Sequence, residues 1–292
     1  MQKIDIHLHL RGNTECMQQE NAKMKVSSGE EMAPHLLELG ITHGILMSSG
    51  ENPAGIPFGT NESNRLLCEQ QPEYYHWMCN LDERDMETVH ARLALYQSQG
   101  AVGVGELMIN RRLDHPFLQE VFRAAQDLKL PVLFHMSPEE GFSYGVVDEP
   151  GLPLLEAVLR KYPRLRVIGH SQPFWHEISK NAEPDRDSRN SWGKGPVVPG
   201  GRLVELFSAY PNLYGDLSAN SGGCAVMRDP DFGLEFLERF SDRLMFATDM
   251  VNTDMVFPLG GWLDGQAKAG KLSMEAYERI CRRNAAELFG IV

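Results

Sequence analysis

The sequence predicts an α/β fold in which eight parallel strands and their helices close into a (β/α)8 barrel (TIM barrel). Short apolar, β-rich segments recur between longer segments with helical periodicity, which is typical of βαβ units and a parallel sheet. The length of 292 residues suits one barrel of roughly 250 residues with added loops. No glycine-rich phosphate loop follows the first strand, which disfavours an open doubly wound sheet.

The individual elements follow from these patterns. Strands are predicted at residues 4–9, 41–47, 74–80, 102–108, 132–136, 166–170, 213–217 and 244–248. Helices predicted between them include residues 86–99, 116–128, 153–162, 201–210, 232–240 and 273–289. Because no internal repeat or linker interrupts the alternation, we expect a single domain spanning residues 1–292.

The predicted connections are unequal in length. Long polar segments follow the first, second, sixth and eighth strands, at residues 11–29, 48–61, 171–200 and 250–271. All of them leave the carboxyl ends of strands, which is where barrel enzymes build their active sites. The segments that lead from each helix back to the next strand are short. We therefore expect the active site at the carboxyl end of the barrel.

Composition narrows the class of protein. The formal net charge is −12 and no run of Lys or Arg stands out, which disfavours a nucleic-acid binder. The five cysteines are far apart without a CxxC pair, which is typical of reduced thiols. The sequence contains no apolar signal segment at its start and no run approaching a membrane span, so we expect a cytoplasmic protein without a membrane partner.

The strongest local signal is the pair His7 and His9 in the first predicted strand. Side chains two residues apart share one face of a strand, so both imidazoles point the same way. Two imidazoles on one face are able to bind a single cation. Taken alone, the pair is equally compatible with two ordinary histidines of an edge strand.

Other residues able to bind a metal close other apolar strands. His135 ends the fifth, His170 ends the sixth and Asp249 follows the eighth. Each of these residues alone is compatible with a structural role. Together they converge on one rim of a barrel, where coincidence is a poor explanation. A cation held by imidazoles and a carboxylate activates water, with Asp249 as proton acceptor and His170 as donor to the substrate oxygen.

The chain resembles the amidohydrolase superfamily, and within it the amidohydrolase-2 branch, which includes aminocarboxymuconate-semialdehyde decarboxylase and related hydrolases. The resemblance covers nearly the whole chain. It lies in residues 4–9 (IDIHLH), 165–170 (LRVIGH), 210–218 (YPNLYGDLS), 243–249 (RLMFATD) and 284–290 (NAAELFG). It implies that His7, His9, His135 and Asp249 ligate or face the metal, and that His170 polarises the substrate or binds a second metal.

Glu106 decides the expected number of metal ions. Many members of the superfamily carry a carbamylated lysine at the end of the fourth strand, whereas this chain has Glu106 there and no lysine nearby. As in some relatives, Glu106 is a candidate ligand that bridges two ions. The alternative is that Glu106 supports the metal ligands without binding a metal itself, or pairs with Arg111 or Arg112. The sequence therefore leaves open whether the site binds one or two divalent ions.

Three residues are predicted to contact substrate. Arg11 follows His9, and arginine is well shaped to bind a carboxylate; the start of the chain is also similar to that of dihydroorotases. Trp175 lies with Phe174, His176 and Trp192 in the segment 171–200, which is either a lid over the site, an anchor or a subunit interface. Asn252 follows Asp249 closely enough to reach a substrate.

These patterns predict a metal-dependent hydrolase that attacks an ester, lactone or amide bond of a small carboxylated substrate. A metal-dependent, non-oxidative decarboxylase of the same branch is the alternative, since its ligands are nearly the same. A barrel that has lost catalysis and serves only as a scaffold would be expected to lack some of the metal-binding residues. All of the candidate metal-binding residues are present in the sequence. Zinc is the first choice of metal, with manganese, iron, cobalt and nickel open. A homodimer is the default expectation for assembly.

Overall fold

Eight parallel strands form the central sheet of the molecule. The structure is a computed structural model that describes residues 1–11, 24–52 and 57–291. The central strands are β1 (Lys3–Leu8), β2 (Ile41–Leu46), β3 (Tyr75–Cys79), β4 (Ala101–Leu107), β5 (Val132–Phe134), β8 (Val167–Gly169), β9 (Leu213–Asp216) and β10 (Leu244–Met245). Two short strands, β6 (Met136–Ser137) and β7 (Val146–Val147), pair separately.

The central sheet closes on itself. Its strands are hydrogen-bonded in the order β1-β2-β3-β4-β5-β8-β9-β10. Between the first and last strands, the Ile6 amide donates to the Phe246 carbonyl at 3.3 Å, and the Asp249 amide donates to the His7 carbonyl at 2.9 Å. The predicted (β/α)8 barrel is therefore confirmed, and its carboxyl end gathers the residues that follow each strand.

The barrel has a packed apolar interior. Side chains from the strands, among them Ile6, Ile45, Leu133 and Ile168, form one buried cluster. Phe289, from the last helix, joins this cluster. The interior is thus filled below the rim, so polar side chains at the carboxyl end stand on a rigid floor.

Helices surround the strands and pack on them through a second, larger apolar cluster. They are α1 (Gly29–Glu38), α2 (Asn61–Gln70), α3 (Val89–Ser98), α4 (Pro116–Leu128), α5 (Pro153–Lys161), α6 (Gln172–His176), α7 (Arg186–Arg189), α8 (Arg202–Ala209), α9 (Ala219–Met227), α10 (Pro230–Arg239), α11 (Leu259–Lys268), α12 (Met274–Glu278) and α13 (Asn284–Phe289). A 3-10 turn (Met86–Thr88) precedes α3, and a π turn (Arg279–Arg283) joins α12 to α13.

Local sequence explains where helices start. Helix α4 has the predicted bounds, with Pro116 in its first turn and the His115 side chain accepting a bond from a backbone amide as the cap. Helix α1 begins at a capping box, in which Ser28 and Glu31 each bond to the other's backbone amide. These caps satisfy amide groups that the first turn of a helix leaves without partners.

Two of the predicted polar connections prove to be partly helical. The segment 171–200 contains α6 and α7, and the segment 250–271 contains α11. The predicted loops 11–29 and 48–61 lie partly outside the described residues. Several strands are shorter than predicted, although Met47 and Leu217, just beyond two of the strand ends, still donate backbone hydrogen bonds to the neighbouring strand.

The described part of the chain contains no helix with the length and apolar character that crossing a membrane requires.

Candidate metal centre

Six predicted site residues come together at the carboxyl end of the barrel. His7 lies in β1 and His9 directly follows it, Glu106 lies in β4, and the others follow β5, β8 and β10; they are His135, His170 and Asp249. Their nitrogen and oxygen atoms form three overlapping groups, within each of which all ligand atoms lie within 4.8 Å of one another. Strands far apart in sequence therefore deliver one cluster of imidazoles and carboxylates.

One half of the cluster is built around the histidine pair. The Nε2 atoms of His7 and His9 lie 3.1 Å apart. Glu106 Oε2 lies 3.2 Å from His9 Nε2 and 3.6 Å from His7 Nε2. Asp249 Oδ1 lies 3.5 Å from both nitrogens. Two nitrogens and two oxygens thus face a common point.

The other half lies on the opposite side of Glu106. Its second oxygen, Oε1, lies 2.9 Å from His135 Nδ1 and 3.7 Å from His170 Nε2. The second oxygen of Asp249, Oδ2, lies 3.9 Å from His170 Nε2. The carboxylate of Glu106 therefore stands between two pairs of histidines, with one oxygen facing each.

Asp216, at the end of β9, orients two of the histidines. Its Oδ2 lies 2.7 Å from His7 Nδ1 and 3.3 Å from His170 Nδ1. The Ser218 hydroxyl lies 2.9 Å from the same nitrogen of His170. These contacts leave the Nε2 atoms of both rings facing the cluster, as in metal sites where a carboxylate behind the histidine fixes the ring. Sequence reasoning missed this role, although Asp216 lies in the segment 210–218 and ends an apolar strand.

Asp5 ties the first strand to the last beneath the cluster. Its Oδ2 accepts a bond from the Thr248 hydroxyl at 2.5 Å, and its Oδ1 accepts bonds from the His7 and Thr248 amides at 3.0 Å. Burial raises the pKa of Asp5 to about 7. This side chain was not predicted, and it holds the backbone that carries His7 and Asp249.

The charges of the cluster depend on one another. Burial alone lowers the pKa of His7, but the carboxylates of Asp249, Glu106 and Asp216 outweigh it and hold that pKa well above its usual value. Burial raises the pKa of Glu106, yet His7, His135 and His9 bring it well below its usual range. Glu106 is therefore ionised, and its negative charge favours a positively charged group or ion at the centre of the cluster.

The donor set fits a divalent cation. Without an ion, the facing nitrogens of His7 and His9 need a proton between them, and a bound cation takes that place. Neutral imidazoles with ionised carboxylates are the ligands that zinc and similar metals use in proteins. The ligands lie in barrel strands or shortly after them, so little reorganisation is needed to bind an ion.

A cavity of about 580 Å³ opens beside the cluster. Two of its walls are rings that cover candidate ligands: Phe58 stacks on His9 at 4.4 Å between ring centroids, and Tyr144 lies 4.3 Å from His135. The remaining described lining is Met24, Ser49, Pro57, Asn80, Leu81, Asp82, Glu83, Met108 and Ile109. The size and the mixture of apolar walls with a few polar groups are typical of a small-molecule site.

The residues predicted to contact substrate occupy different environments. Arg11 stands at the rim with its guanidinium 3.6 Å from Glu31. Asn252 holds the chain after β10, since its Nδ2 donates to the Lys25 carbonyl at 2.9 Å and its Oδ1 accepts from the Asp254 amide at 3.0 Å.

Trp175 does not lie in a lid. Its side chain is 2% exposed, and its Nε1 donates to the Asp216 carbonyl at 2.9 Å. Phe174, beside it, is also buried. Helix α6 turns both rings into the core beneath the rim, so Trp175 supports the strand that carries Asp216 and has no open face for a substrate.

The alternative pairing of Glu106 with a nearby arginine is excluded by the contacts of both arginines. Arg111 pairs with Glu83 at 3.1 Å, and Arg112 pairs with Asp114 at 3.3 Å and Glu149 at 3.1 Å. Glu106 is 2% exposed and faces the histidines instead.

Comparison with known proteins agrees with this arrangement. The family model described as amidohydrolase, in the amidohydrolase-2 branch, matches residues 4–291. The chain belongs to the amidohydrolase family. No match was found among curated proteins. This membership, together with the cluster of histidines and carboxylates, supports a divalent metal in an enzyme.

Several solved structures share the fold. The chain is 17% identical to 2,6-dihydroxybenzoate decarboxylase from Rhizobium, with a TM-score of 0.64 and coverage of 100% of this chain and 99% of that one. It is 16% identical to 5-carboxyvanillate decarboxylase from Novosphingobium aromaticivorans, complexed with manganese and 4-hydroxy-3-methoxy-5-nitrobenzoic acid (TM-score 0.66, coverage 99% and 96%).

A third structure is that of a probable hydrolase rather than a decarboxylase. It is a probable 2-pyrone-4,6-dicarboxylic acid hydrolase from Acinetobacter baumannii with citric acid bound, 17% identical, with a TM-score of 0.59 and coverage of 99% and 100%. At these identities the similarity establishes a common fold, and both hydrolases and decarboxylases are found on it.

Proposed function

We propose that this amidohydrolase is a metal-dependent hydrolase that uses two ions to open an ester, lactone or amide bond. The observation that carries the proposal is the position of Glu106, whose two oxygens face two different pairs of histidines. His7, His9 and Asp249 would hold the first ion, and His135 and His170 the second. Glu106 would contribute one oxygen to each.

Bound divalent ions supply Lewis acidity and lower the pKa of a nearby water towards about 7. Asp249 is the proton acceptor for that water, because its carboxylate faces the cluster while 26% of the side chain remains exposed. Asp249 then returns the proton to the leaving group.

If the centre binds a single ion at His7, His9 and Asp249, His170 is instead the candidate to stabilise negative charge on the substrate oxygen, because its Nε2 then holds no metal. Ser218 and Asp216 hold its Nδ1, so its Nε2 is the atom directed into the site. A donor fixed in this way costs little reorganisation when charge develops during the reaction.

A second candidate is a metal-dependent, non-oxidative decarboxylase of the same branch. It is favoured by the whole-chain similarity to the decarboxylases from Rhizobium and Novosphingobium aromaticivorans. For such a reaction the same cluster would hold the substrate carboxylate, and an acid such as Asp249 would protonate the carbon that loses carbon dioxide.

The proposed metal is zinc, because imidazole and carboxylate ligands suit it. Manganese is the specific competitor, since the 5-carboxyvanillate decarboxylase structure contains it. Reconstitution of metal-free protein with each ion, followed by activity measurements, decides between them.

The proposed substrate is a small carboxylated compound whose apolar part occupies the cavity beside the cluster. Phe58 and the neighbouring apolar side chains suit a flat ring. Arg11, at the rim after His9, remains the proposed contact for a substrate carboxylate.

The deciding experiment screens metal-loaded protein against lactones, carboxyesters, N-acyl compounds and aromatic acids. A hydrolase incorporates oxygen from labelled water into an acid product and releases no carbon dioxide. A decarboxylase releases carbon dioxide from an aromatic acid, and that result would replace the first proposal by the second. Activity that is unchanged by removing the metal would contradict both.

A further inference from the structure

Tyr144 forms the wall of the cavity on the side of His135. The two ring centroids lie 4.3 Å apart, and Tyr144 lines the same cavity as Phe58, which stacks on His9. Tyr144 nevertheless is 56% exposed. The Tyr144 ring therefore packs beside a candidate ligand and also faces the cavity, where it can contact a bound molecule.

The backbone holds Tyr144 in this position. The Gly145 amide donates to the Met108 carbonyl and the Val146 amide donates to the His135 carbonyl, both at 2.7 Å. Gly145 has φ of +106°, and a Cβ there would lie 2.8 Å from His135 Cδ2. Only glycine therefore lets the chain pass so close to His135, and Tyr144 is fixed beside the metal centre.

The hydroxyl of Tyr144 differs from the other polar groups of the cavity wall. Those groups are already bonded to neighbouring protein atoms: Ser49 Oγ to the Gly59 carbonyl at 3.2 Å, Asn80 Nδ2 to the Glu106 carbonyl at 2.7 Å, Asp82 Oδ2 to Asn52 Nδ2 at 2.5 Å and Glu83 Oε2 to Arg111 at 3.1 Å. Within the described ranges of the chain, the Tyr144 hydroxyl has no hydrogen-bond partner.

We propose that Tyr144 contacts and orients the substrate. Its ring packs against the apolar body of the substrate, and its hydroxyl donates a hydrogen bond to the substrate oxygen that faces the His135 side of the centre. The inference rests on the proposed function, because it requires that substrate bind in the cavity beside the metal. It adds a residue to that proposal and places one end of the substrate beside His135, which follows β5.

The test compares Tyr144→Phe, Tyr144→Ala and the control Phe142→Leu with the wild type. Phe142 lies on the same segment but contacts Arg186 rather than the cavity. Each protein is loaded with the ion, zinc or manganese, that gives the higher activity on reconstitution, and is titrated with 4-hydroxy-3-methoxy-5-nitrobenzoic acid by calorimetry; metal content is measured in parallel. KM and kcat are then compared for the best substrate of the screen.

Removal of the hydroxyl in Tyr144→Phe is expected to weaken binding about tenfold, or about 1.4 kcal/mol. Removal of the ring in Tyr144→Ala is expected to weaken it further. Metal content stays at the wild-type value in both, and Phe142→Leu binds as the wild type does. Equal binding by Tyr144→Phe and wild type would overturn the role of the hydroxyl, and equal binding by Tyr144→Ala would overturn that of the ring.

The controls separate this inference from the proposed function. If metal-loaded wild type binds neither the nitrobenzoic acid nor any compound of the screen, the proposed function fails and the role of Tyr144 fails with it. If wild type binds and turns over substrate while all variants match it, only the role of Tyr144 is overturned.

Discussion

Glu106→Gln is predicted to remove one of two metal equivalents from the protein. In the wild type, one oxygen of Glu106 lies 3.2 Å from His9 Nε2 and the other lies 2.9 Å from His135 Nδ1. Glutamine has the same shape but no charge, and it presents one oxygen and one NH2 group. The half of the centre that faces the NH2 group loses its anionic ligand and meets a hydrogen-bond donor instead.

The expected magnitude follows from this loss. Mutation of residues that only support a ligand typically costs about 10–100-fold in metal affinity. Loss of a direct, charged ligand is therefore expected to weaken one ion at least about 100-fold, or about 2.7 kcal/mol. The other ion keeps its oxygen and at least two further side chains, so it stays bound.

Elemental analysis of metal per chain, after reconstitution and dialysis, measures the effect. Glu83→Gln is the matched control, because Glu83 pairs with Arg111 at 3.1 Å outside the metal centre. We expect two equivalents in the wild type and the control, and one in Glu106→Gln. A Glu106→Gln protein that keeps the wild-type count would refute the reasoning and favour a single-ion site.

Two further predictions concern Asp216, behind the centre, and Asp148, a buried carboxylate elsewhere in the fold. Asp216→Asn is expected to weaken metal binding about 10–100-fold, because the Asp216 carboxylate lies 2.7 Å from His7 Nδ1 and fixes that ring. The circular dichroism spectrum should stay unchanged. Unchanged affinity in a metal titration would exclude that role. Burial raises the pKa of Asp148 to about 6, above the value of an unfolded chain, so the folded protein binds an extra proton between about pH 4 and 6. The free energy of unfolding should therefore fall by up to about 3 kcal/mol as pH rises through that range. Asp148→Asn should lack this dependence in denaturant titrations, and an equal slope in both proteins would contradict it.

The parts predicted from sequence share one physical basis. Apolar strands that end in a histidine or carboxylate have to place that group at the rim of a parallel barrel, whatever the details of packing. This was sufficient to bring His7, His135, His170 and Asp249 to one end. Periodicity and a proline at the first turn were likewise sufficient for the bounds of α4.

Residues behind the centre were harder to predict because their roles depend on distances across the barrel. Asp5 and Asp216 lie within strands, and nothing local distinguishes a carboxylate that supports histidines from one in another buried network. Their partners, Thr248 and His7, lie more than two hundred residues away in the chain. Only the closed barrel brings them into contact.

The orientation of Trp175 was left open for a different reason. The segment 171–200 is polar overall, so its aromatic residues were compatible with a lid, an anchor or a subunit interface. Helix α6 has five residues, too few for apolar periodicity to be recognised, yet it buries Phe174 and Trp175 against the barrel. Average composition of a segment therefore does not predict the orientation of its individual side chains.

The presence of a metal centre at the first strand is the central claim, and metal content tests it most directly. The variant His7→Ala with His9→Ala removes both nitrogens of the pair that lies 3.1 Å apart. We predict that elemental analysis finds bound divalent metal in the wild type, that the double variant loses the ion held at this pair and all activity, and that its circular dichroism and thermal unfolding remain those of a folded barrel. A double variant that retains the full metal content of the wild type would contradict the account.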